Sequence, residues 1–126
     1  MSQNIYNRGV RGATTVDNNN YAEIEEATIE MLEKIINMNE IETDSISHVI
    51  FTLTHDLNAG FPAKAARIHL GWNDVPMICT QEIPVPDSLA KCIRVLIVIN
   101  TSKKKKEIKH VYLRNAKSLR PDIVSI

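Results

Sequence analysis

The sequence has few aromatic residues, little glycine, little cysteine and no net charge. Aromatics make up 5% of the 126 residues, so the core is expected to be aliphatic. Four glycines leave no Gly-rich phosphate loop. The two cysteines, Cys79 and Cys92, stand thirteen positions apart without a Cys-x-x-Cys, and His48, His55, His69 and His110 show no H-E-x-x-H or other dense ligand spacing. Neither structural zinc nor a redox pair is expected, and no metal ligand is assigned. No stretch approaches the roughly 18 apolar residues of a membrane span, and the amino terminus, MSQNIYNRGVRG, lacks the apolar run of a signal peptide. The expectation is a cytoplasmic protein with no membrane partner.

What is present fits one globular domain over residues 1–126, with 44% hydrophobic residues. A chain of this size buries about two-thirds of its unfolded surface and needs no disulfide or metal to do so. The zero charge is a cancellation of 15 basic against 15 acidic residues. Between Asp17 and Asp44 there are nine acidic residues and only Lys34 is basic; between Lys91 and Arg120 there are ten basic residues and only Glu107 is acidic. Such asymmetry points to an anionic partner for the basic half: nucleic acid, a membrane surface or a small anion.

Hydrophobic spacing predicts a helix over residues 20–39, with Tyr21, Ile24, Thr28, Met31, Leu32, Ile35 and Met38 on one stripe. Glu23, Glu25, Glu26, Glu30 and Glu33 fall largely off the stripe, so the acidic half reads as a solvated helix face capped by Asp17 or the Asn run. Strands are predicted at 9–16, 46–54 and 75–80, with a continuous apolar run at 93–101 (IRVLIVINT) that predicts a central strand buried on both faces. Residues 108–113 are expected to be its hairpin partner. A short helix begins at Pro62 and stops at Gly71, with Phe61 as a hydrophobic staple, and a helical turn lies near Ala116–Leu119. The fold class is α+β: a mixed five-stranded sheet with one long helix and short helical pieces. One helix cannot cover both faces of such a sheet, which favours oligomerisation.

Among candidate functional residues, Lys103–Lys106 reads as a solvated loop tip between two strands. No aromatics are interleaved with it for base stacking, so nucleic acid is not expected as a partner. The arginines are more informative. Arg94 lies between Cys92, Ile93, Val95 and Leu96, where a guanidinium needs an anion, either an internal partner such as Glu82 or a bound ligand. Several arginines converging on one pocket would suit a small dicarboxylate, which Arg grips bidentately. The residues alone thus reach a small anion-binding domain.

The segments RGATTV (Arg11–Val16), FPAKAAR (Phe61–Arg67), CTQE (Cys79–Glu82), KCIRVL (Lys91–Leu96), HVYL (His110–Leu113) and LRPD (Leu119–Asp122) go further. Together, in order and spacing, they resemble the monofunctional chorismate mutases of the trimeric α/β-barrel class. The resemblance implies a homotrimer whose sheets close a pseudo α/β barrel, with active sites at subunit clefts. It implies the [3,3] rearrangement of chorismate to prephenate in aromatic amino-acid biosynthesis, with no cofactor. By the same resemblance Arg94 would donate to the breaking ether oxygen and a carboxylate, while Arg11 and Tyr112 would grip the side-chain carboxylate. Glu82 and Cys79 would contact the ring hydroxyl, and Phe61, Ala63, Lys64, Arg67 and Thr80 would line the cleft. Leu119 and Arg120 would belong to a mobile C-terminal tail, residues 119–126, that closes over the ligand. The alternative is a trimer of similar architecture without mutase activity, such as an enamine/imine deaminase-like enzyme or a small-carboxylate-binding protein.

Overall fold

The computed structural model describes residues 3–123. Its elements run β1 (Tyr6–Thr15), α1 (Tyr21–Asn39), β2 (Ile46–Leu53), α2 (Pro62–Leu70), β3 (Met77–Gln81), β4 (Cys92–Thr101) and β5 (Val111–Tyr112), with 3-10 turns at Thr43–Ser45, Lys105–Glu107 and Arg114–Ser118. The five strands form one mixed sheet in the order β3-β2-β4-β1-β5. No helix among the described residues is long and apolar enough to cross a membrane.

Local chemistry sets the ends of both helices. The Asn20 side chain accepts a hydrogen bond from the Glu23 N–H at 2.9 Å, and the Glu23 carboxylate accepts in return from Asn18 N–H and Asn20 Nδ2, which closes the first turn of α1. Pro62 opens α2 where its missing N–H costs nothing, and Gly71 ends it at φ 69°, a left-handed conformation that glycine adopts without a Cβ clash. Phe61 is not the expected staple. It occupies the N-cap position itself and is 66% exposed, so its ring has no helix position to pack against.

Ile24, Ala27, Thr28, Met31, Leu32 and Ile35 of α1 are buried against one face of the sheet, where Val10, Val49, Phe51, Ile93, Val95 and Ile97 meet them. Gly12 permits this close approach: a Cβ there would lie 2.5 Å from Ile35 Cδ1 and 2.9 Å from Val95 Cγ1. The acidic face of α1 is only partly left to solvent, since Glu25 pairs with His69 at 3.0 Å and Glu30 with Arg114 at 3.3 Å.

Two strand expectations need correction. β4 is central, between β2 and β1, but it is not covered along both faces: Ile93, Val95, Ile97 and Ile99 enter the core while Arg94 and Leu96 point to the uncovered face. Residues 108–113 are not its hairpin partner. Both edges of β4 are already occupied by antiparallel β1 and β2, so β5 pairs instead in parallel with β1, through Gly12–Val111 and Ala13–Tyr112. Asn39 steers the chain there. Its buried amide donates to Ile35 O and Lys109 O and accepts from Lys109 N–H, fixing the segment after β4 against the end of α1. Lys103 joins it by donating from Nζ to Asn39 O at 2.7 Å, a cation on a helix C-terminus. Thus Lys104–Lys106 are exposed as expected, whereas Lys103 is a half-buried helix cap.

Candidate active site

Strand register gathers the chemistry-bearing residues on the face away from α1, which is covered over Ala13 and Tyr112 but open over Arg94 and Leu96. Thr80 of β3 is opposite Thr52 of β2, Thr52 is opposite Arg94 of β4, Arg94 is opposite Ala13 of β1, and Ala13 is opposite Tyr112 of β5. One transverse row therefore carries Thr80, Thr52, Arg94, Ala13 and Tyr112. The next row carries Ile78, Ile50, Leu96 and Arg11.

Arg94 has the internal partner that its apolar flanks demanded. Its Nε lies 3.3 Å from Glu82 Oε2, yet 47% of its side chain remains exposed. The guanidinium is therefore held by one carboxylate and still open to a ligand. Glu82 is anchored just past β3 by its N–H donating to Leu53 O, and its Oε2 also accepts a short hydrogen bond from the Thr52 hydroxyl. Together with Thr54, Leu89, Cys92 and Leu119, this pair lines a hollow of about 220 Å³. Burial pushes the Cys92 thiol up to about 11, with Arg94 pulling the other way, so Cys92 stays a neutral wall. Tyr112 is buried beside the hollow with Ala13 and Ala116, against Leu89, Leu119 and Ile123. Leu119 and Ile123 of the expected tail are thus packed on this face, while Pro121 and Asp122 are exposed; residues 124–126 lie outside the described residues.

A clamp outside the expected set holds the approach to Arg94. Thr54 Oγ1 accepts from Cys92 N–H and donates to Asp56, whose carboxylate accepts from Lys91 N–H at 3.0 Å. Burial opposes ionisation of Asp56, but these donors outweigh it and hold its carboxyl below the usual range.

Arg11 and Arg120 flank the row. The Arg11 N–H donates to His110 Nδ1 at 2.9 Å, and Arg11 lines a neighbouring hollow of about 390 Å³ with Arg8, Lys105 and His110. Arg120 turns back on Asp122, donating from Nε at 3.0 Å and Nη2 at 2.8 Å. Burial, then the charges of Arg11 and Arg120, push the His110 pKa below its ordinary value. The unfolded chain therefore takes up this proton first as pH falls below about 6.5, so the contribution of His110 to folding stability is complete above that value and is lost as pH falls toward the lower folded-state pKa. Urea unfolding at successive pH values from 7.5 to 5 should show this decline, and His110→Asn should flatten it. An unchanged slope in the variant would remove His110 as its source.

Of the remaining predicted residues, Phe61, Cys79 and Thr80 line a second cleft of about 440 Å³, together with Gly60. Cys79 faces the helix side of the sheet, beneath the start of α2, where the Ala63 N–H points at its sulfur; burial raises the thiol above its usual range. Ala63 packs on the core edge. Lys64 and Arg67 are not brought into this cleft: Lys64 Nζ lies 5.1 Å from the centre of the Tyr21 ring, and Arg67 is also beside Tyr21. Cys79 lines this cleft, whereas Arg94 lines the smaller hollow beside Cys92 and Leu119. Among the described residues, no three His, Cys, Asp or Glu side chains converge as a metal site.

Missed at the sequence level were Thr52, His110 and the Thr54–Asp56–Lys91 clamp. Only strand register could have exposed Thr52, and nothing local marks the others.

The model of the family "Chorismate mutase type I" matches residues 7–123. Chorismate mutase AroH of Bacillus subtilis is 44% identical over 116 residues, covering 92% of this chain and 91% of that protein. The Thermus thermophilus protein of the same name is 45% identical over 119 residues, covering 94% and 97%. A solved chorismate mutase from Clostridium thermocellum superposes with a TM-score of 0.86 at 50% identity, covering 88% of this chain and 98% of that one. These matches favour the mutase over the deaminase-like alternative. The family match takes in both clefts and every strand and helix described above but for the first residue of β1, and this chain belongs to the type I chorismate mutase family.

Proposed function

We propose that this protein catalyses the [3,3] rearrangement of chorismate to prephenate at a site completed between copies of the chain. The observation that carries the reading is the Arg94 guanidinium. It is fixed through Nε on Glu82 and half-exposed on the uncovered sheet face, in one row with Tyr112.

In this reaction a carbon–oxygen bond breaks while a carbon–carbon bond forms within one molecule. No proton is transferred and no covalent intermediate is needed. The demands on the protein are to hold a compact conformer and to stabilise the charge that separates as the ether opens. Arg94 meets the oxygen, where negative charge grows, together with a substrate carboxylate. Glu82 faces the electron-poor ring and its hydroxyl. Arg11 and Tyr112 take the side-chain carboxylate, and Leu119 and Arg120 cover the entrance.

Cys79, Phe61 and Thr80, which line the second cleft, form the opposing wall together with Ala63, and Lys64 and Arg67 stand exposed beside it on α2. Because Cys79 and Arg94 open onto different hollows of one chain, the reading assigns this wall to a neighbouring copy. The uncovered sheet face supplies the contact: Ile78 is 61% exposed and Leu96 38% exposed, with Ile50 between them. Burying such a face is what a homotrimer would do. Two free cysteines suit a reducing, cytoplasmic setting.

The test is the loss of chorismate absorbance in a steady-state assay, with prephenate identified as product. Saturable conversion by the purified protein is the expected result. Unchanged chorismate with a correctly folded protein would overturn the proposal.

A further inference from the structure

Beside Arg94 and Glu82 stands one hydroxyl to which the reaction as set out above gives no task. Thr52 is the cross-strand neighbour of Arg94, and its Oγ1 donates to Glu82 Oε2, the same oxygen that Arg94 Nε approaches at 3.3 Å. We propose that Thr52 is a positioning residue for the rearrangement, turning Glu82 so that one carboxylate oxygen holds Arg94 while the other stays free for substrate. The inference rests on the reading of Glu82 and Arg94 as substrate-facing groups.

An arginine and a carboxylate left to themselves favour a fork of two parallel hydrogen bonds. Such a fork here would consume both oxygens of Glu82 and one Nη of Arg94, closing the site on itself. The Thr52 hydroxyl works against that arrangement by occupying Oε2 from the β2 side. Among the described residues no side chain donates to Glu82 Oε1, and no oxygen accepts from Arg94 Nη1 or Nη2. These are the groups that a ring hydroxyl, an ether oxygen and a carboxylate would need. Thr52 is well suited to the task, since it is half-buried and its branched Cβ restricts χ1 on a strand, so its hydroxyl keeps its aim.

The experiment compares steady-state chorismate conversion and Tm for Thr52→Val, Thr52→Ser, Glu82→Gln and the double variant Thr52→Val/Glu82→Gln. Thr52→Val keeps the shape but loses the donor, and should lower kcat by about tenfold or more with a smaller change in KM. Thr52→Ser keeps the donor and should stay within about threefold of the parent. In the Glu82→Gln background, Thr52→Val should add little, because residues acting as one unit are non-additive. Should Thr52→Val fail to fold, Thr52→Ala against Thr52→Ser gives the same comparison. A merely structural Thr52 would lower Tm, leave serine no better than valine and add fully to Glu82→Gln; that pattern overturns the inference. Impaired Glu82→Gln alongside fully active Thr52→Val overturns the role of Thr52 alone. A fully active Glu82→Gln overturns both this role and the reading of Glu82 on which it rests.

Discussion

Arg94→Lys is expected to lower kcat/KM by about 10² to 10³ or more, although it keeps the positive charge. The reason lies in how the guanidinium is divided. Its Nε faces Glu82 at 3.3 Å, and in the proposed role its Nη groups serve the developing oxyanion and a carboxylate. A lysine has one nitrogen for both duties, and an ammonium beside Glu82 is drawn away from the substrate. A positioned donor to a developing oxyanion is alone worth about 3 to 4 kcal/mol, and the proposed role has Arg94 orient the ligand as well. The fold should tolerate the change, because the side chain is half-exposed on an uncovered face and fills no core space. Steady-state kinetics with a thermal melt as control measure it. An Arg94→Lys enzyme within tenfold of the parent and equally stable would remove the proposed role.

Arg120→Ala makes a useful contrast within the same experiment. The guanidinium of Arg120 is engaged with Asp122 two residues away and does not line the hollow that holds Arg94, so its loss should cost less activity than Arg94→Lys in the same assay. The position of each arginine, and what already holds it, separates residues that composition alone treats alike.

What the sequence made legible was whatever depends on near neighbours. The α1 stripe, the Asn20 cap, Pro62 and Gly71 are all set within a turn or two, and each falls where local chemistry predicts. Arg94 was legible because a charge inside an apolar strand needs an anion wherever the strand lies. Glu82 proved to be that anion. By contrast, the pairing of β5 is decided by Asn39, whose amide reaches residue 109 from the far end of α1. No periodicity in residues 108–113 records that bond. Thr52 escaped for the same reason: a threonine in a strand is ordinary until register sets it opposite an arginine. Phe61 misled because its sequence position suits a staple, while the structure leaves its ring exposed at the cleft mouth.

The separation of the two clefts has the strongest consequence. If the site is assembled between copies, two variants that are each inactive for different reasons should restore activity to one another. Arg94→Ala removes the electrostatic wall; Lys64→Ala/Arg67→Ala removes the cationic side of the opposing one. Each alone is expected to lose at least about tenfold in kcat/KM, since each removes charged contacts to a dianion. After unfolding and refolding an equimolar mixture, a site is intact only where an Arg94-bearing copy meets a copy with Lys64 and Arg67 in place. In a closed ring assembled at random, that is about one site in four, because each of the two contributing copies has an even chance of being the right one. The mixture should therefore recover roughly a quarter of parental activity, well above the mean of the separate variants. Refolding each variant alone supplies the control, and the mass of the assembly in solution should be three times that of the chain. Recovery no greater than the mean of the two controls, from a mixture shown to have exchanged subunits, would place all these residues in one chain and end the case for a shared site.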